Sequence, residues 1–184
     1  AQILHMARHD ALTGLPNRLL FSERLEQALA QLPRGTGFAV HCLDLDRFKE
    51  VNDTLGHHVG DLLLREVAAR FLSCARETDT VGRLGSDEFA IVQAGIARPD
   101  DAAMLAQRVL QIAGEPYDVA GHRIVIGASC GIAVPPGNGT SAETLLRNAD
   151  TALYRAKADG RGIWRFFEPE MNARLQLRRA LETD

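Results

Sequence analysis

Apolar residues recur along the chain with two different periods, which together predict alternating helices and strands. Phe21, Leu25, Leu29 and Leu32 follow one another at steps of four, four and three residues and predict an amphipathic helix. The same kind of spacing predicts helices around residues 63–71, 102–113 and 141–160. Short apolar runs bounded by turn residues predict strands at 38–43, 81–84, 89–92, 117–119, 124–126, 129–134 and 164–167.

The spacing between the predicted strands indicates the fold class. Several strands are separated by only a few residues, and Gly85-Ser86-Asp87-Glu88 has the turn chemistry of a β-hairpin. A doubly wound parallel sheet would need a long crossover between every pair of neighbouring strands. The pattern therefore predicts an α/β sandwich, with a central mixed, mostly antiparallel sheet flanked by helices.

Length and composition allow one ordinary globular domain and exclude several classes of function. The chain has 184 residues, of which 46% are hydrophobic and 24% charged, and its formal net charge is −3. That balance argues against sequence-independent binding to nucleic acid, which needs a basic face. No apolar stretch approaches the roughly 20 residues that span a membrane. Cys42, Cys74 and Cys130 form no C-x-x-C pair, so we expect core residues in a reducing, cytoplasmic protein rather than disulfides or a zinc site.

We divide the chain into one domain and two flanking segments. Residues 1–9 have apolar positions at helical spacing and are expected to end an incoming linker helix, and residues 10–168 form the domain. Residues 169–184 carry apolar positions among charges and are expected to begin a C-terminal connector helix. Because the first residue is Ala rather than Met, we expect a fragment, and a membrane anchor elsewhere in the parent chain is left open.

Two pairs of acidic residues follow predicted strands. Asp44 and Asp46 end an apolar strand, and Asp87 and Glu88 lie in the predicted hairpin turn. Carboxylates in such places can converge over one end of a sheet, and Mg²⁺ takes one or two carboxylates together with water and phosphate oxygens. The four residues are therefore candidate ligands for Mg²⁺ or Mn²⁺. The alternative is that they are solvated loop acids.

Two basic residues provide a candidate phosphate site. Lys157 and Arg161 are four residues apart, which places both on one helix face if the last turn persists to Gly160. An ammonium group and a guanidinium fork both suit a triphosphate. The alternative is a helix end at which the helix dipole favours cations.

Asn52 and Asp61 are candidates for reading a guanine base. A carboxylate can accept from guanine N1–H and its amino group together, and an amide can complete the edge, whereas adenine lacks that pair of donors. The alternative is that Asn52 caps a turn and Asp61 caps a helix. The neighbouring His57 and His58 do not indicate a transition-metal site, because the sequence suggests no third nitrogen or sulfur ligand.

Four segments together resemble the GGDEF family of diguanylate cyclases, and the resemblance covers residues 10–167. The segments are 10–18 (DALTGLPNR), 44–61 (DLDRFKEVNDTLGHHVGD), 83–89 (RLGSDEF) and 154–161 (YRAKADGR). The resemblance implies a cyclase/polymerase-palm-like sandwich that condenses two GTP molecules into cyclic di-GMP and two pyrophosphates. Each chain would hold one GTP, so two chains would have to face each other as a homodimer.

The resemblance also implies a role for each matching position. The implied metal ligands, with the three acids also catalytic, are Asp44, the Leu45 carbonyl, Asp87 and Glu88. The implied substrate contacts are Asn52 and Asp61 to guanine, the loop at Phe48 and Lys49 to the phosphates, and Lys157 and Arg161 to the triphosphate. Arg76 and Asp79 match the family's R-x-x-D inhibitory site for cyclic di-GMP, for which the alternative is a charged helix end.

Two features depart from an ordinary active cyclase. Ser86 stands where the family signature has its second glycine, and a side chain at a positive φ would cost about 1–2 kcal/mol. We therefore expect strain or crowding at Ser86, and reduced activity. Residues 168–184 resemble the connector to an EAL phosphodiesterase domain. The alternative function is thus a GTP-binding regulatory domain that controls an attached phosphodiesterase.

Overall fold

A computed structural model of the chain describes residues 7–171 together with Leu177, Ala180 and Leu181. The helices in this part are α1 (Arg18–Gln31), α2 (Phe48–Leu55), α3 (His57–Cys74), α4 (Pro99–Ala113) and α5 (Ala142–Ala158). The strands are β1 (Gly37–Leu45), β2 (Thr80–Arg83), β3 (Glu88–Ile96), β4 (Tyr117–Val119), β5 (His122–Ile124), β6 (Ala128–Ala133) and β7 (Trp164–Phe166). Residues 1–6 and most of 169–184 lie outside the described residues, so the two expected flanking helices stay predictions.

The central sheet has five strands in the order β2-β3-β1-β6-β7. All neighbours are antiparallel except β6 and β7, which are parallel. The strands β4 and β5 form a separate two-stranded hairpin. The predicted mixed, mostly antiparallel sheet is therefore confirmed.

The two faces of the sheet carry separate apolar cores. One core packs β1 and β3 against α2, α3 and α4, and it includes Leu43, Leu63 and Phe71. The other packs the sheet against α1 and α5, and it includes Val40 and Cys42. Side chains alternate across a strand, so Asp44 continues the series of Val40 and Cys42 and faces α1 and α5.

One helix was missed by the sequence pattern and another begins earlier than predicted. The polar stretch after β1 forms α2, in which only Phe48 and Val51 are buried, so its apolar signal is too short to stand out. Helix α3 begins at His57, directly after Gly56 with a φ of 90°. That glycine lets the chain turn sharply between the two helices.

Helix α5 packs directly on the central sheet at a glycine. A Cβ built on Gly131 of β6 would lie 2.1 Å from the Ala149 carbonyl oxygen, so the helix backbone occupies the space of a side chain. The helix is capped by Ser141, whose hydroxyl accepts from the Thr144 N–H at 3.1 Å. This close packing places the last turn of α5, with Lys157, next to the end of β1, with Asp44.

Candidate functional site

The centre of the candidate site is an ion pair between the end of β1 and the end of α5. Lys157 donates to Oδ2 of Asp44, although the two residues are 113 positions apart in the chain. The Asp44 side chain is only 13% exposed, and its other oxygen, Oδ1, is buried without a hydrogen-bond partner among the described residues. An unpartnered buried carboxylate oxygen is costly unless something else binds it.

The charges around Asp44 favour a cation. Burial raises the pKa of Asp44 to about 6, the Lys157 ammonium group opposes this change, and the nearby carboxylates of Asp87 and Glu88 add to it. Asp44 also pairs with Glu88 across the sheet, which brings both side chains to one face. Arg18 lies 3.9 Å from Glu88, so three acids here face one lysine and one arginine, and the carboxylates remain in excess.

The donors present suit a hard divalent ion that keeps open positions. The described residues contain no group of three or more His, Cys, Asp or Glu side chains already arranged around a common point. Mg²⁺ does not need such a cage, because it retains water and takes phosphate oxygens. The unpartnered Oδ1 of Asp44 beside two further carboxylates therefore fits the metal that the sequence implies.

The hairpin tip is held in place by an arginine that the sequence analysis did not single out. Arg83 donates to the Ser86 carbonyl through Nε at 3.2 Å and Nη2 at 2.8 Å, and to both oxygens of Asp10 through Nη1 at 3.0 Å. The Asp87 carbonyl accepts from the Leu45 N–H at 3.2 Å, which ties the tip to β1. Asp10 and Arg83 lie in segments 10–18 and 83–89, which carry the family resemblance, and the sequence offered no other indication that they interact.

The strain expected at Ser86 is absent. The non-glycine residues with positive φ in the described chain are Arg47, Ala120 and Arg161. Ser86 is exposed and lies outside the left-handed region, so the backbone gives a glycine no advantage at this position. The expectation of a backbone penalty was therefore wrong.

Asp46 does not belong to the open carboxylate cluster. It is only 7% exposed, its Oδ1 accepts from the Ser129 hydroxyl at 2.9 Å and its Oδ2 accepts from the Gly162 N–H at 3.1 Å. Because both oxygens are used internally, Asp46 is not an available metal ligand. The residue types alone could not separate it from Asp44, which is also a strand-end aspartate, whereas the family resemblance implies only Asp44 of the two as a ligand.

Arg161 does not share a helix face with Lys157. Helix α5 ends at Ala158, and Arg161 lies in the following turn with a φ of 62°, between two glycines that also have positive φ. A left-handed conformation costs a residue other than glycine about 1–2 kcal/mol. The Arg161 side chain is exposed and makes no hydrogen bond or ion pair within the described part of the chain, so it is free to bind a ligand.

Asn52 and Asp61 lie on neighbouring helices and also have free side chains. Asn52 is in α2 and Asp61 in the second turn of α3, and neither side chain makes a helix cap or any other hydrogen bond to residues that the structure describes. A Cβ on Gly60 would lie 1.8 Å from Asn52 Oδ1, so the asparagine packs directly over this glycine, beside Asp61. The alternative that both residues serve as caps is therefore wrong.

Phe48 and Lys49 begin a helix rather than lying in a loop. Phe48 is buried and Lys49 exposed, and both belong to the first turn of α2, which follows Arg47 with a φ of 64°. The first N–H groups of a helix lack intrahelical acceptors and favour anions. The predicted backbone contact to a phosphate thus has a structural basis in the helix start.

The comparison with known families decides the assignment. The family described as "Diguanylate cyclase, GGDEF domain" matches residues 7–162. This chain belongs to the GGDEF family. It is 47% identical over 98% of its length to the bifunctional diguanylate cyclase/cyclic di-GMP phosphodiesterase MucR of Pseudomonas aeruginosa, but spans only 28% of that protein. It is also 40% identical over 91% of its length to the diguanylate cyclase TpbB of the same species, spanning 39% of it.

Solved GGDEF structures confirm the palm-like cyclase fold. The GGDEF domain of TpbB from Pseudomonas aeruginosa superposes with a TM-score of 0.88 at 39% identity, covering 91% of this chain and 99% of that one. The coiled coil and GGDEF domain of DgcB from Caulobacter crescentus, solved in complex with c-di-GMP, gives a TM-score of 0.81 at 29% identity, covering 90% and 88%. No helix in the described part of the chain is long and apolar enough to cross a membrane.

The GGDEF domain contains a cavity beside the carboxylate cluster. Its volume is about 580 Å³, and it lies between α1 and α5 on the face of the sheet that carries Asp44 and Glu88. Charged side chains of both signs reach its lining, including Arg18, Arg147 and Asp150. The cluster therefore faces open space on this side.

The residues of the predicted inhibitory turn are bonded within the domain. The Asp79 side chain is 2% exposed and accepts from the Arg76 N–H and the Ala94 N–H, each at 2.9 Å. The Arg76 guanidinium donates to the Ala94 carbonyl. Arg76 and Asp79 lie after the end of α3 at Cys74, in a turn bonded to β3. The alternative of a charged helix end therefore does not describe them. The Asp79 carboxylate holds the turn to the edge of β3.

Proposed function

We propose that this GGDEF domain is a diguanylate cyclase that uses Mg²⁺ or Mn²⁺ to condense two GTP molecules into cyclic di-GMP and two pyrophosphates. The observation that carries the proposal is the unpartnered Oδ1 of Asp44, which lies beside Asp87 and Glu88 while Lys157 neutralises the other oxygen. A site with surplus carboxylates and one ammonium group suits a divalent ion and a phosphate together. Its substrate, GTP, implies a cytoplasmic domain.

The base of GTP is assigned to Asn52 and Asp61. Both side chains are free of internal hydrogen bonds among the described residues, and Asn52 packs over Gly60 beside Asp61. Guanine N1–H and the amino group would donate to the Asp61 carboxylate. Adenine would leave the carboxylate poorly satisfied, which supplies the discrimination between the two bases.

The triphosphate is assigned to the start of α2 and the end of α5. The backbone N–H groups of Phe48 and Lys49, the Lys157 ammonium group and the free Arg161 guanidinium would bind its oxygens. The ion would be held by Asp44, the Leu45 carbonyl, Asp87 and Glu88. When bound, it neutralises charge on the reacting phosphate and makes the attacking hydroxyl more acidic.

The chemistry is an exchange at the α-phosphorus. The 3′-hydroxyl oxygen of one GTP forms a bond to the α-phosphorus of the other, and the bond to pyrophosphate breaks. We assign acceptance of the hydroxyl proton to Asp87. One domain provides one half-site, so two copies must face each other, and the second nucleotide would approach across the cavity beside Asp44 and Glu88.

Turnover of GTP tests the proposal. GTP and Mg²⁺ are supplied at high protein concentration, cyclic di-GMP is measured by chromatography, and Asp87→Ala is the matched control. Product from the native chain that is lost in the control would support a cyclase. No product, with GTP binding still measurable by calorimetry, would refute turnover and leave a GTP-binding regulatory domain.

The regulatory alternative has a specific basis in the relatives. NbdA of Pseudomonas aeruginosa, 41% identical to this chain, is named a cyclic di-GMP phosphodiesterase, and the chain spans 24% of it. A domain of such a protein would bind GTP through the same residues and control an attached EAL domain. The variant Ser86→Gly tests whether Ser86 limits turnover, as the regulatory alternative would allow. We expect turnover within about twofold of the native value, because Ser86 has no backbone strain to relieve. A large rise would identify Ser86 as a brake.

Product inhibition is assigned to Arg76 and Asp79. The Arg76 side chain is 60% exposed and, among the described residues, donates only through Nη2 to the Ala94 carbonyl, so its other N–H groups would bind cyclic di-GMP, whereas Asp79 would keep the turn in shape. Arg76→Ala should therefore weaken inhibition by added cyclic di-GMP at least tenfold, on the scale of a lost charge-assisted hydrogen bond. Unchanged inhibition in that variant would exclude the site.

A further inference from the structure

A buried aspartate joins three segments, two of which carry predicted metal or substrate contacts. Asp46 follows β1 directly, and its own N–H donates to the Gly127 carbonyl at 2.8 Å. Its side chain binds Ser129 at the start of β6 and Gly162, the residue after Arg161. One residue further along the chain, Arg47 leads into α2.

This connection anchors the turn that carries Arg161 on its Gly162 side. Gly160, Arg161 and Gly162 have φ values of 131°, 62° and 68°, a succession that a chain does not favour by itself. The Gly162 N–H has two acceptors, Oδ2 of Asp46 at 3.1 Å and Oγ of Ser129 at 3.0 Å. The Arg161 side chain makes no hydrogen bond or ion pair among the described residues, so the position of Arg161 depends on its backbone. That backbone is held by the anchor at Gly162 and by the bond from the Arg161 N–H to the Ala156 carbonyl at 3.1 Å.

Two donors, the Ser129 hydroxyl and the Gly162 N–H, point at the same buried position, where a carboxylate can accept from both. Asp46 is turned away from the open cluster in this arrangement. It therefore adds no free charge to the metal ligands while it fixes the backbone on either side of the phosphate site.

We propose that Asp46 is a positioning residue for the triphosphate, which holds Arg161 in place through Ser129 and Gly162. This inference rests on the proposed binding of GTP. It assigns Asp46 neither to the metal nor to the substrate. The proposal places the effect of Asp46 at Arg161 rather than at the start of α2, and this effect should be confined to ligands that carry the triphosphate.

A double-mutant cycle tests the route. Dissociation constants for GTP with Mg²⁺, and for GMP, are measured by competition for the native chain, Arg161→Ala, Asp46→Ala and the double variant. Each single change should weaken GTP about tenfold, as expected for one charge-assisted contact, and the double variant should be no weaker than Arg161→Ala. Binding of GMP should change less than about twofold, because the base site at Asn52 and Asp61 is untouched.

Conservative and backup variants keep the test decisive. Asp46→Asn should stay within about threefold of native, since the amide oxygen can accept from Gly162 while the serine hydroxyl accepts from the amide. If Asp46→Ala does not fold, Ser129→Ala removes part of the same anchor and should weaken GTP but not GMP. Losses that add in the double variant, or equal losses for GTP and GMP, would overturn the proposal.

Asp61→Ala separates failure of this inference from failure of the proposed function. If Asp61→Ala and Arg161→Ala both bind GTP like the native chain, GTP binding at this site is wrong and the inference falls with it. If both weaken GTP and Asp46→Ala does not, only the positioning role is wrong.

Discussion

Two polar pairs of this domain were predicted to bind nucleotides, and the fold treats them differently. Asn52 and Asp61 lie on adjacent helices with side chains free of internal bonds. Arg76 and Asp79 lie in one turn, and their side chains are bonded to the backbone of the same turn and of β3. The first pair offers its hydrogen-bonding capacity to a ligand, whereas in the second pair the Asp79 carboxylate has already used its own.

The difference predicts which residues contribute to ligand affinity and which contribute to the stability of the fold. A free polar side chain at the surface loses only water when a ligand arrives, so replacing it should alter affinity and leave stability alone. A buried carboxylate that satisfies backbone N–H groups contributes to folding, and its replacement leaves those groups unsatisfied. Replacing an aspartate should therefore have opposite effects in the two places, on affinity at Asp61 and on stability at Asp79.

The largest expected effect is on stability at Asp79. Asp79→Ala leaves the Arg76 and Ala94 N–H groups without their acceptor and should lower the free energy of unfolding by roughly 4 kcal/mol. Asp61→Ala, its exposed counterpart, should change stability by less than about 0.5 kcal/mol. Urea denaturation of both variants measures the contrast. Equal losses at the two positions would contradict the distinction between them.

His41 extends the contrast to a fully internal polar group. It is 1% exposed, and its Nε2 hydrogen-bonds Gln93 Oε1 at 2.9 Å within the sheet. Burial lowers the pKa of His41 to about 4, against the raising effects of the Gln93 bond and of the Asp79 charge. The folded chain thus binds fewer protons than the unfolded chain below the ordinary histidine pKa of 6.5.

The consequence is a loss of stability in acid. The contribution of His41 is intact above about pH 6.5 and should fall by about 3 kcal/mol as the pH decreases toward 4. His41→Gln removes the titration and should flatten the stability profile between these limits, although other acidic groups still titrate. Denaturation midpoints at a series of pH values test this, and parallel profiles for the two proteins would argue against it.

The sequence predicted the parts of the fold whose signals are local. Helix α1 and strand β1 follow the apolar period, and the hairpin at Gly85–Glu88 follows turn chemistry. Helix α2 was missed because it buries only Phe48 and Val51. The sheet order was not predictable, since it depends on pairing between distant strands.

The candidate site was predicted less completely, for the same reason. Asp44 and Asp46 are the same residue type. Only contacts with residues more than 80 positions away show that Asp44 keeps an unpartnered oxygen while both oxygens of Asp46 are bonded. Arg161 continues the helical spacing of Lys157, but the turn anchored at Gly162 removes it from the helix. The guanine pair was a candidate from its side-chain chemistry, the family resemblance favoured it over helix caps, and its free side chains are consistent with that prediction.

A base-specificity change should sharpen the contrast at Asp61. Xanthine carries a carbonyl in place of the guanine amino group, and Asp61→Asn replaces one acceptor by a donor. We expect this variant to bind GTP about thirtyfold more weakly, a loss of about 2 kcal/mol, and to bind xanthosine triphosphate better than the native chain does. Competition binding measures both values. A uniform loss for both nucleotides would mean that Asp61 does not read the base.

The smallest expected effect concerns Gly60, which lies beneath Asn52. A Cβ on Gly60 would lie 1.8 Å from Asn52 Oδ1 and 3.3 Å from Phe48 Cζ, so Gly60→Ala must push the asparagine side chain aside. The displaced atom is the terminal oxygen of the partly exposed Asn52 side chain, which can move. Alanine also has a higher helix propensity than glycine, so the free energy of unfolding should change by less than about 1 kcal/mol. GTP affinity should fall about tenfold, as it should for Asn52→Ala.

The comparison of Gly60→Ala with Asn52→Ala decides whether the glycine acts through the asparagine. The double variant should bind GTP no more weakly than Asn52→Ala alone, because the clash disappears together with the amide. A further loss in the double variant would show that the glycine supports the base site through α3 itself. Native affinity in Gly60→Ala would mean that Asn52 does not need its present position, which would weaken the assignment of the free pair to guanine.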